Sequence, residues 1–314
     1  MQSNLPFFTV IIPTYNRGKL INRAILSVIE QEFTNWELII VDDGSTDSTS
    51  DVVAGFKDNR VRYFYQQNSE RSAARNRGIE LSQGKFICFL DSDDTWRSEH
   101  LSVLHKSVLS ENCREGLFYT GVCWNFEDGT REDKIHPDCA GLNPVEYVIL
   151  NQIGPSTQCI HSSILKNNRF RTDLKVNEDV ELNTRIAASY PLFRIPVVTV
   201  DMLIHSENTT ALFEEYISPQ VMAMNIIFSN HVLKGKISRK FKKKIQLSFD
   251  SQYIMVWERL GEKKKLQKAI VTYLRRYPFD IKNKARIVTL LYSLPFGSGL
   301  KQLIKRLKKN KAST

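Results

Sequence analysis

The chain has 314 residues, 42% of them apolar and 25% charged, which is the make-up of an ordinary folded protein and excludes global disorder. That length buries a sizeable core and exceeds one compact domain, so a catalytic domain with an appendage is expected. The net charge of +10 is uneven, because residues from Lys234 onward hold 23 Lys or Arg against 4 Asp or Glu, while the rest hold 21 basic and 30 acidic groups. An acidic body with a basic tail argues against a chain-wide nucleic-acid-binding surface.

The first third alternates strands and helices. Phe8 to Ile12 is a short β-branched strand, and Leu20, Ile21, Ala24, Ile25, Val28 and Ile29 repeat at helical spacing after it. A second strand, Trp36 to Val41, ends in the turn-rich Asp42-Asp43-Gly44-Ser45-Thr46-Asp47. A helix over Asp47 to Phe56, a strand over Val61 to Tyr65 and a helix over Ser72 to Leu81 follow. A fourth strand, Lys85 to Leu90, ends in Asp91-Ser92-Asp93-Asp94. The beat predicts βαβ units and a mainly parallel α/β sheet flanked by helices. Ligands of such sheets sit beyond the carboxyl ends of the strands. Three of those ends are polar: Pro13 to Asn16, Asp42 to Asp47 and Asp91 to Asp94.

Farther on, the pattern predicts a helix over Ser98 to Leu109, a strand over Leu117 to Cys123 and a polar loop over Glu127 to Asp138. A helix over Pro144 to Leu150, a strand over Ser156 to Ile160, a helix over Glu178 to Ala188 and a strand over Phe193 to Val200 come next. Beyond Leu212 the pattern is helical throughout. No stretch approaches the ~18–20 apolar residues of a membrane span. Five scattered cysteines without a CxxC pair suit a reducing cytosol. The first residues, MQSNLPFFTVIIP, lack the basic start of a signal peptide. A cytoplasmic protein, with a membrane surface as a further setting, is the expectation.

Asp91-Ser92-Asp93 at the end of an apolar strand is the strongest chemical signal. Carboxylates two positions apart can face one divalent ion, and Mg²⁺ or Mn²⁺ takes few protein oxygens plus those of a phosphate. Asp42 and Asp43 can accept hydrogen bonds from ribose hydroxyls or a base N–H. Pro13-Thr14-Tyr15 offers backbone donors and a ring for a nucleobase. Each segment alone fits a capping turn at least as well, and the Asp91-Ser92-Asp93 pattern fits one better.

Their order resembles the inverting family 2 glycosyltransferases of GT-A fold. The matching segments are VIIPTYNR (10–17), ELIIVDDGSTD (37–47), NSERSAARNRGI (68–79), GKFICFLDSDD (84–94), NEDVELNTRI (177–186) and IHSENTT (204–210). The resemblance covers about the first 210 residues. It implies a GT-A catalytic domain over 1–210, with a nucleotide-sugar half of about 1–95 and an acceptor half of about 96–210, and leaves 211–314 as a basic helical region.

By that resemblance Pro13, Thr14 and Tyr15 line the base and ribose pocket, Asp43 and Asp42 contact the base, and Asn68 and Arg75 complete the nucleotide site. A guanidinium fork suits a diphosphate. Asp91 and Ser92 meet the sugar and ribose, and Asp93 is the metal ligand, with His205 as a second candidate for the metal or diphosphate. Asp94 reads as a helix cap. Asp179 is the general base and Glu178 orients the acceptor. Two departures stand out: Leu203 replaces a frequent Arg, and Ser69 and Glu70 replace the usual glycines after Asn68.

The resemblance implies inverting transfer of a hexose or N-acetylhexosamine from a nucleotide-sugar, in particular a UDP-sugar, to the hydroxyl of a glycan or lipid-linked acceptor. The setting it implies is surface polysaccharide or glycoconjugate assembly, a fold-level analogy. Leu300, Leu303, Ile304 and Leu307 form an apolar stripe among lysines, which suits either an anionic membrane face, on the cytoplasmic side, or packing on the body. A nucleotidyltransferase would need a Gly- and Lys-rich phosphate loop that Pro13 to Gly18 lacks. An anionic-polymer-binding protein built on the tail would leave the ordered motifs unexplained, and no nucleic-acid partner is expected.

Overall fold

In the computed structural model the described residues are 5–204 and 213–277. The elements run β1 (Phe8–Thr14), α1 (Ile21–Ile29), β2 (Trp36–Asp42), α2 (Thr49–Ala54), β3 (Val61–Tyr65), α3 (Glu70–Leu81) and β4 (Phe86–Phe89). Then come β5 (Thr95–Trp96), α4 (His100–Ser110), β6 (Leu117–Phe126), β7 (Arg131–Lys134), α5 (Pro144–Asn151), β8 (Gln158–His161), α6 (Ser162–Asn167), α7 (Glu178–Ala187) and β9 (Leu192–Ile204). The helices α8 (Phe213–Ser229), α9 (Arg239–Arg259) and α10 (Lys263–Arg276) complete the described chain.

The strands form one sheet in the order β3-β2-β1-β4-β8-β6-β9-β5, with β7 on the side of β6. The first four strands are parallel to one another, as are β6 and β9. β8 lies between β4 and β6 and is antiparallel to both. This is the expected α/β sheet with helices on its faces.

The near-continuous apolar strands follow from that layering. Leu38 and Ile40 of β2 join Val10 and Ile12 of β1 against the α1 stripe Ile21, Ala24, Ile25 and Val28. Ile39 and Val41 face the other way, toward Ala74 of α3. Each such aliphatic side chain contributes about 1.5–3 kcal/mol by leaving water. Helix α3 lies close on β1 because residue 78 is glycine: a Cβ there would stand 2.4 Å from Ile11 Cγ2.

Several elements differ from the sequence reading. Arg131–Lys134, inside the expected polar loop, is a strand paired with β6 across a turn through Gly129. Its four charged, mostly exposed side chains hide the strand from a hydrophobic pattern and protect a sheet edge. Asp94 caps no helix. The chain after it enters β5, and α4 begins only at His100 with Glu99 at its cap.

The first compact unit extends to Ser238, past the expected boundary at 210, because α8 packs on α7. The second unit begins at Arg239. In it α9 and α10 form a helical pair around Ile254, Leu266, Ile270, Tyr273 and Leu274, with Arg276 donating to the buried Asp250 at 3.0 Å. His205 and the Leu300–Leu307 stripe lie outside the described residues.

Candidate active site

The three polar strand ends meet at one edge, since β2, β1 and β4 are adjacent and parallel. Side-chain and backbone bonds fasten their loops together. Asp43 N–H donates to the Thr14 carbonyl at 2.8 Å, Asn16 N–H to Ser45 Oγ at 2.9 Å, and Thr46 N–H to Asn16 Oδ1 at 2.8 Å. Arg17 Nη2 lies 3.9 Å from Asp93 Oδ2, joining the β1 loop to the β4 loop.

Within this frame the expected nucleotide residues divide. Tyr15 is 48% exposed, a ring presented at the strand end, while Pro13 is buried. Thr14 Oγ1 is buried and has no hydrogen-bond partner. Asp43 Oδ1 accepts from Gln66 Nε2 at 2.6 Å and from Ser69 N–H at 3.0 Å. Asp42 does something else. It is 0% exposed, its Oδ1 accepting from Ser45 N–H at 2.8 Å and its Oδ2 from the Tyr63 hydroxyl at 2.7 Å. Both oxygens are committed, so Asp42 anchors the turn and does not face a base, contrary to its sequence assignment. Burial and this carboxylate push the Tyr63 hydroxyl pKa upward.

Asn68 is exposed beside Gly44, whose φ of +90° and close approach both require glycine. A Cβ at 44 would stand 2.8 Å from Asn68 N. Where the related pattern has glycine, Glu70 adopts φ 72°, a conformation that costs a side-chain-bearing residue about 1–3 kcal/mol.

Asp91, Ser92 and Asp93 follow β4. Asp91 and Asp93 are partly buried, Ser92 is buried, and Asp94 is 3% exposed. Ser156 holds this loop. Its Oγ donates to Asp94 Oδ2 at 2.6 Å and accepts from Asp91 N–H at 3.1 Å, and its carbonyl accepts from Trp96 Nε1 at 2.8 Å. Burial, then the charges of Asp91 and Asp93, push the Asp94 carboxyl well above the usual carboxylate range. Ser156→Ala leaves Asp94 buried without that donor. It should cost about 1–3 kcal/mol, read as a lower urea midpoint. A midpoint equal to wild type would count against the anchor.

A divalent ion fits this loop in its donor chemistry: oxygen ligands only, from the neighbouring carboxylates Asp91 and Asp93. No group of three or more His, Cys, Asp or Glu forms a preassembled metal cage among the described residues. An ion here would take its remaining oxygens from a ligand or from water.

Opposite the loop, α7 begins with Glu178 and Asp179 after Asn177, which takes the left-handed conformation at φ 58°. Arg75, expected at the diphosphate, is only 2% exposed. Its Nη2 donates to Asp91 Oδ1 at 2.7 Å and its Nη1 to Glu178 Oε1 at 2.9 Å. Both terminal nitrogens hold the chain's own carboxylates, so Arg75 braces the site from within. Glu178, expected to orient an acceptor, is 4% exposed, and Oε1 also lies 2.8 Å from Arg71 Nε. It faces α3 and is withdrawn from solvent. Asp179 is partly buried, its Oδ1 accepting from Val180 N–H at 2.8 Å. Burial and the neighbouring Glu178 push its pKa up to about 6, against the opposing pull of Arg75, Val180 N–H and Arg71.

Sequence reasoning passed over Gln66, Arg71 and Ser156. Arg71 had a signal, because it precedes Arg75 by four residues and so shares its helix face. Gln66 and Ser156 act through contacts to residues far along the chain, which no local pattern marks.

The sheet and the loops at its carboxyl edge define a GT-A nucleotide-diphospho-sugar transferase fold. Over 86% of the chain it superposes on 81% of the crystallised 1–349 fragment of S. aureus TarS, solved with UDP-GlcNAc, at a TM-score of 0.61 and 17% identity. It also matches the mannosyltransferase PcManGT of Pyrobaculum calidifontis, solved with GDP-Man and Mn²⁺, at a TM-score of 0.59 and 17% identity over 92% of this chain and 80% of that one. Residues 9–130 match the profile described as glycosyl transferase family 2. TuaG of Bacillus subtilis (strain 168), assigned as a teichuronic acid biosynthesis glycosyltransferase, is 37% identical over 132 residues, which are 41% of this chain and 52% of TuaG. The GalNAc(5)-diNAcBac-PP-undecaprenol beta-1,3-glucosyltransferase of Campylobacter jejuni is 30% identical over 184 residues, 55% of this chain and 58% of the relative. The chain thus spans little more than half the length of these two relatives.

Proposed function

We propose that the protein is an inverting glycosyltransferase that moves a sugar from a nucleotide-sugar to an acceptor hydroxyl in the assembly of a surface polysaccharide or related glycoconjugate. The observation that carries this reading is the meeting of the β4 strand end with the start of α7: Asp91 and Glu178 share one guanidinium, which brings the Asp91–Asp93 loop and Asp179 to one site. The names of the relatives support the polysaccharide setting and a lipid-linked acceptor, and the TarS and PcManGT complexes support a nucleotide-sugar donor.

In this mechanism Tyr15 stacks on the base, Asp43 accepts from a base N–H, and Thr14 and Asn68 close the ribose side. Asp91 and Ser92 meet the sugar. Asp93 would hold Mn²⁺ or Mg²⁺ beside the diphosphate, and His205 is a further candidate ligand. The ion, when bound, supplies Lewis-acid neutralisation of charge on the leaving diphosphate. Asp179 removes the acceptor proton as the acceptor oxygen bonds to the anomeric carbon. The bond to the diphosphate oxygen breaks on the opposite face, its electron pair leaving with the nucleoside diphosphate, and the configuration inverts.

A panel of nucleotide-sugars, UDP-linked ones included, tests the reading by metal-dependent donor hydrolysis and thermal stabilisation. Hydrolysis of one member is expected, and silence across the panel would remove the donor assignment.

The basic C-terminus is proposed to bind an anionic membrane on the cytoplasmic side. No helix among the described residues is long and apolar enough to cross one. Each Lys or Arg near such a surface contributes about 1 kcal/mol, screened by salt. Removing residues 299–314 should abolish binding to anionic liposomes and leave the melting temperature unchanged. Early melting of the truncated chain would instead make the segment structural.

A further inference from the structure

Helix α3 reaches across to the segment that leads into α7. Asn76 and Phe170 exchange two hydrogen bonds, each 2.9 Å: Asn76 Nδ2 donates to the Phe170 carbonyl, and Phe170 N–H donates to Asn76 Oδ1. The adjacent Arg75 guanidinium lies 5.3 Å from the Phe170 ring. Arg71 completes the row. Its Nη2 donates to the Lys175 carbonyl at 2.5 Å and its Nε lies 2.8 Å from Glu178 Oε1. One side chain thus grips the backbone three residues before α7 and the first side chain within it, directly next to Asp179.

We propose that Arg71 is a positioning residue for the acceptor side of the site. By holding the Lys175 carbonyl and Glu178 together it fixes the first turn of α7, and with it the direction in which Asp179 presents its carboxylate. A planar fork suits this task, since two nitrogens of one rigid group address two acceptors at once. Arg75 cannot substitute for it, because its terminal nitrogens are held by Asp91 and Glu178. The inference rests on the reading of Asp179 as the base.

The same geometry sets the charge around Asp179. Glu178 on its own helix opposes ionisation, and Arg75 and Arg71 on α3 favour it. One turn on, Glu181 is paired with Arg185 at 2.8 Å. From α5 comes Glu146, whose Oε1 accepts from Ser238 N–H, and residues 218–229 of α8 carry no charged side chain. The short 3₁₀ turn 231–233 brings His231, which is exposed. Removing the Arg71 charge therefore raises the pH at which Asp179 ionises.

The test uses the full chain with Arg71→Gln and Arg71→Lys, assayed with the nucleotide-sugar selected by the donor panel. Binding of UDP with Mn²⁺ is measured by calorimetry and the titration of Asp179 by carboxyl ¹³C NMR. Arg71→Gln should lower kcat about tenfold to a hundredfold, as misplacement of a reacting group does, and leave UDP affinity near wild type. It should also move both the acid limb of the rate and the Asp179 titration to higher pH. Arg71→Lys keeps the charge and loses the fork, so its pH midpoint should stay near wild type while kcat falls. Unchanged kcat and pH profile in Arg71→Gln would overturn the proposal, as would a rate loss matched by lost UDP binding, which would move Arg71 to the donor side. Asp179→Asn separates the two levels. Normal turnover in that variant overturns the base reading and the positioning role with it, whereas an inactive Asp179→Asn beside an unaffected Arg71→Gln overturns the positioning role alone.

Discussion

Asp179→Asn is expected to lower sugar transfer by about 10² to 10⁴ while leaving the binding of UDP and Mn²⁺ unchanged. The amide keeps the shape of the side chain and its contact with Val180 N–H, but it takes no proton from an acceptor hydroxyl. A pH profile adds a second check. Burial and Glu178 raise the Asp179 pKa to about 6, and a base works only when ionised. Transfer in the wild-type enzyme should therefore fall as the pH drops through about 6. An acid limb near the ordinary aspartate range of about 4 would mean that another group is titrating.

Asp93→Ala should produce the second large effect, a loss of metal-dependent nucleoside diphosphate binding. The proposed ion has few protein oxygens to rely on, since no closed cage exists among the described residues. Removing a carboxylate from so sparse a set leaves the ion held mainly by its ligand. Titration calorimetry of UDP with Mn²⁺ should show strongly weakened binding by Asp93→Ala and near-wild-type binding by Asp179→Asn. Wild-type affinity in Asp93→Ala would withdraw the metal assignment.

These two residues stand out as candidates in the sequence because each ends or begins a strongly patterned element. Asp93 follows an apolar strand, and Asp179 opens a helix with regular apolar spacing. Their neighbours were less readable. Asp42 and Asp43 are adjacent acids in one turn, yet Asp42 is sealed between Ser45 N–H and the Tyr63 hydroxyl. The Tyr63 partner lies 21 residues away, and nothing in the local pattern selects one acid over the other. Arg75 and Glu178 are 103 residues apart and pair only because α3 meets α7 in space. Both look like surface residues on their own helices. The β7 strand was hidden for the opposite reason: its charged sequence fits an exposed edge as well as a loop.

The place of β8 bears on how such a protein can be recombined. The chain reaches Gln158–His161 long after the β4 loop, yet those residues are the hydrogen-bonded neighbours of β4, Phe86 facing His161 and Cys88 facing Cys159. A donor module cut at residue 95 would expose the bare flank of β4 and lose Ser156, which steadies the Asp91–Asp94 turn. An open apolar flank is prone to pair with other chains. A chimaera that borrows sugar-donor preference from a relative therefore has to import the 155–161 segment along with the amino-terminal strands, and the modular unit of exchange is discontinuous in sequence.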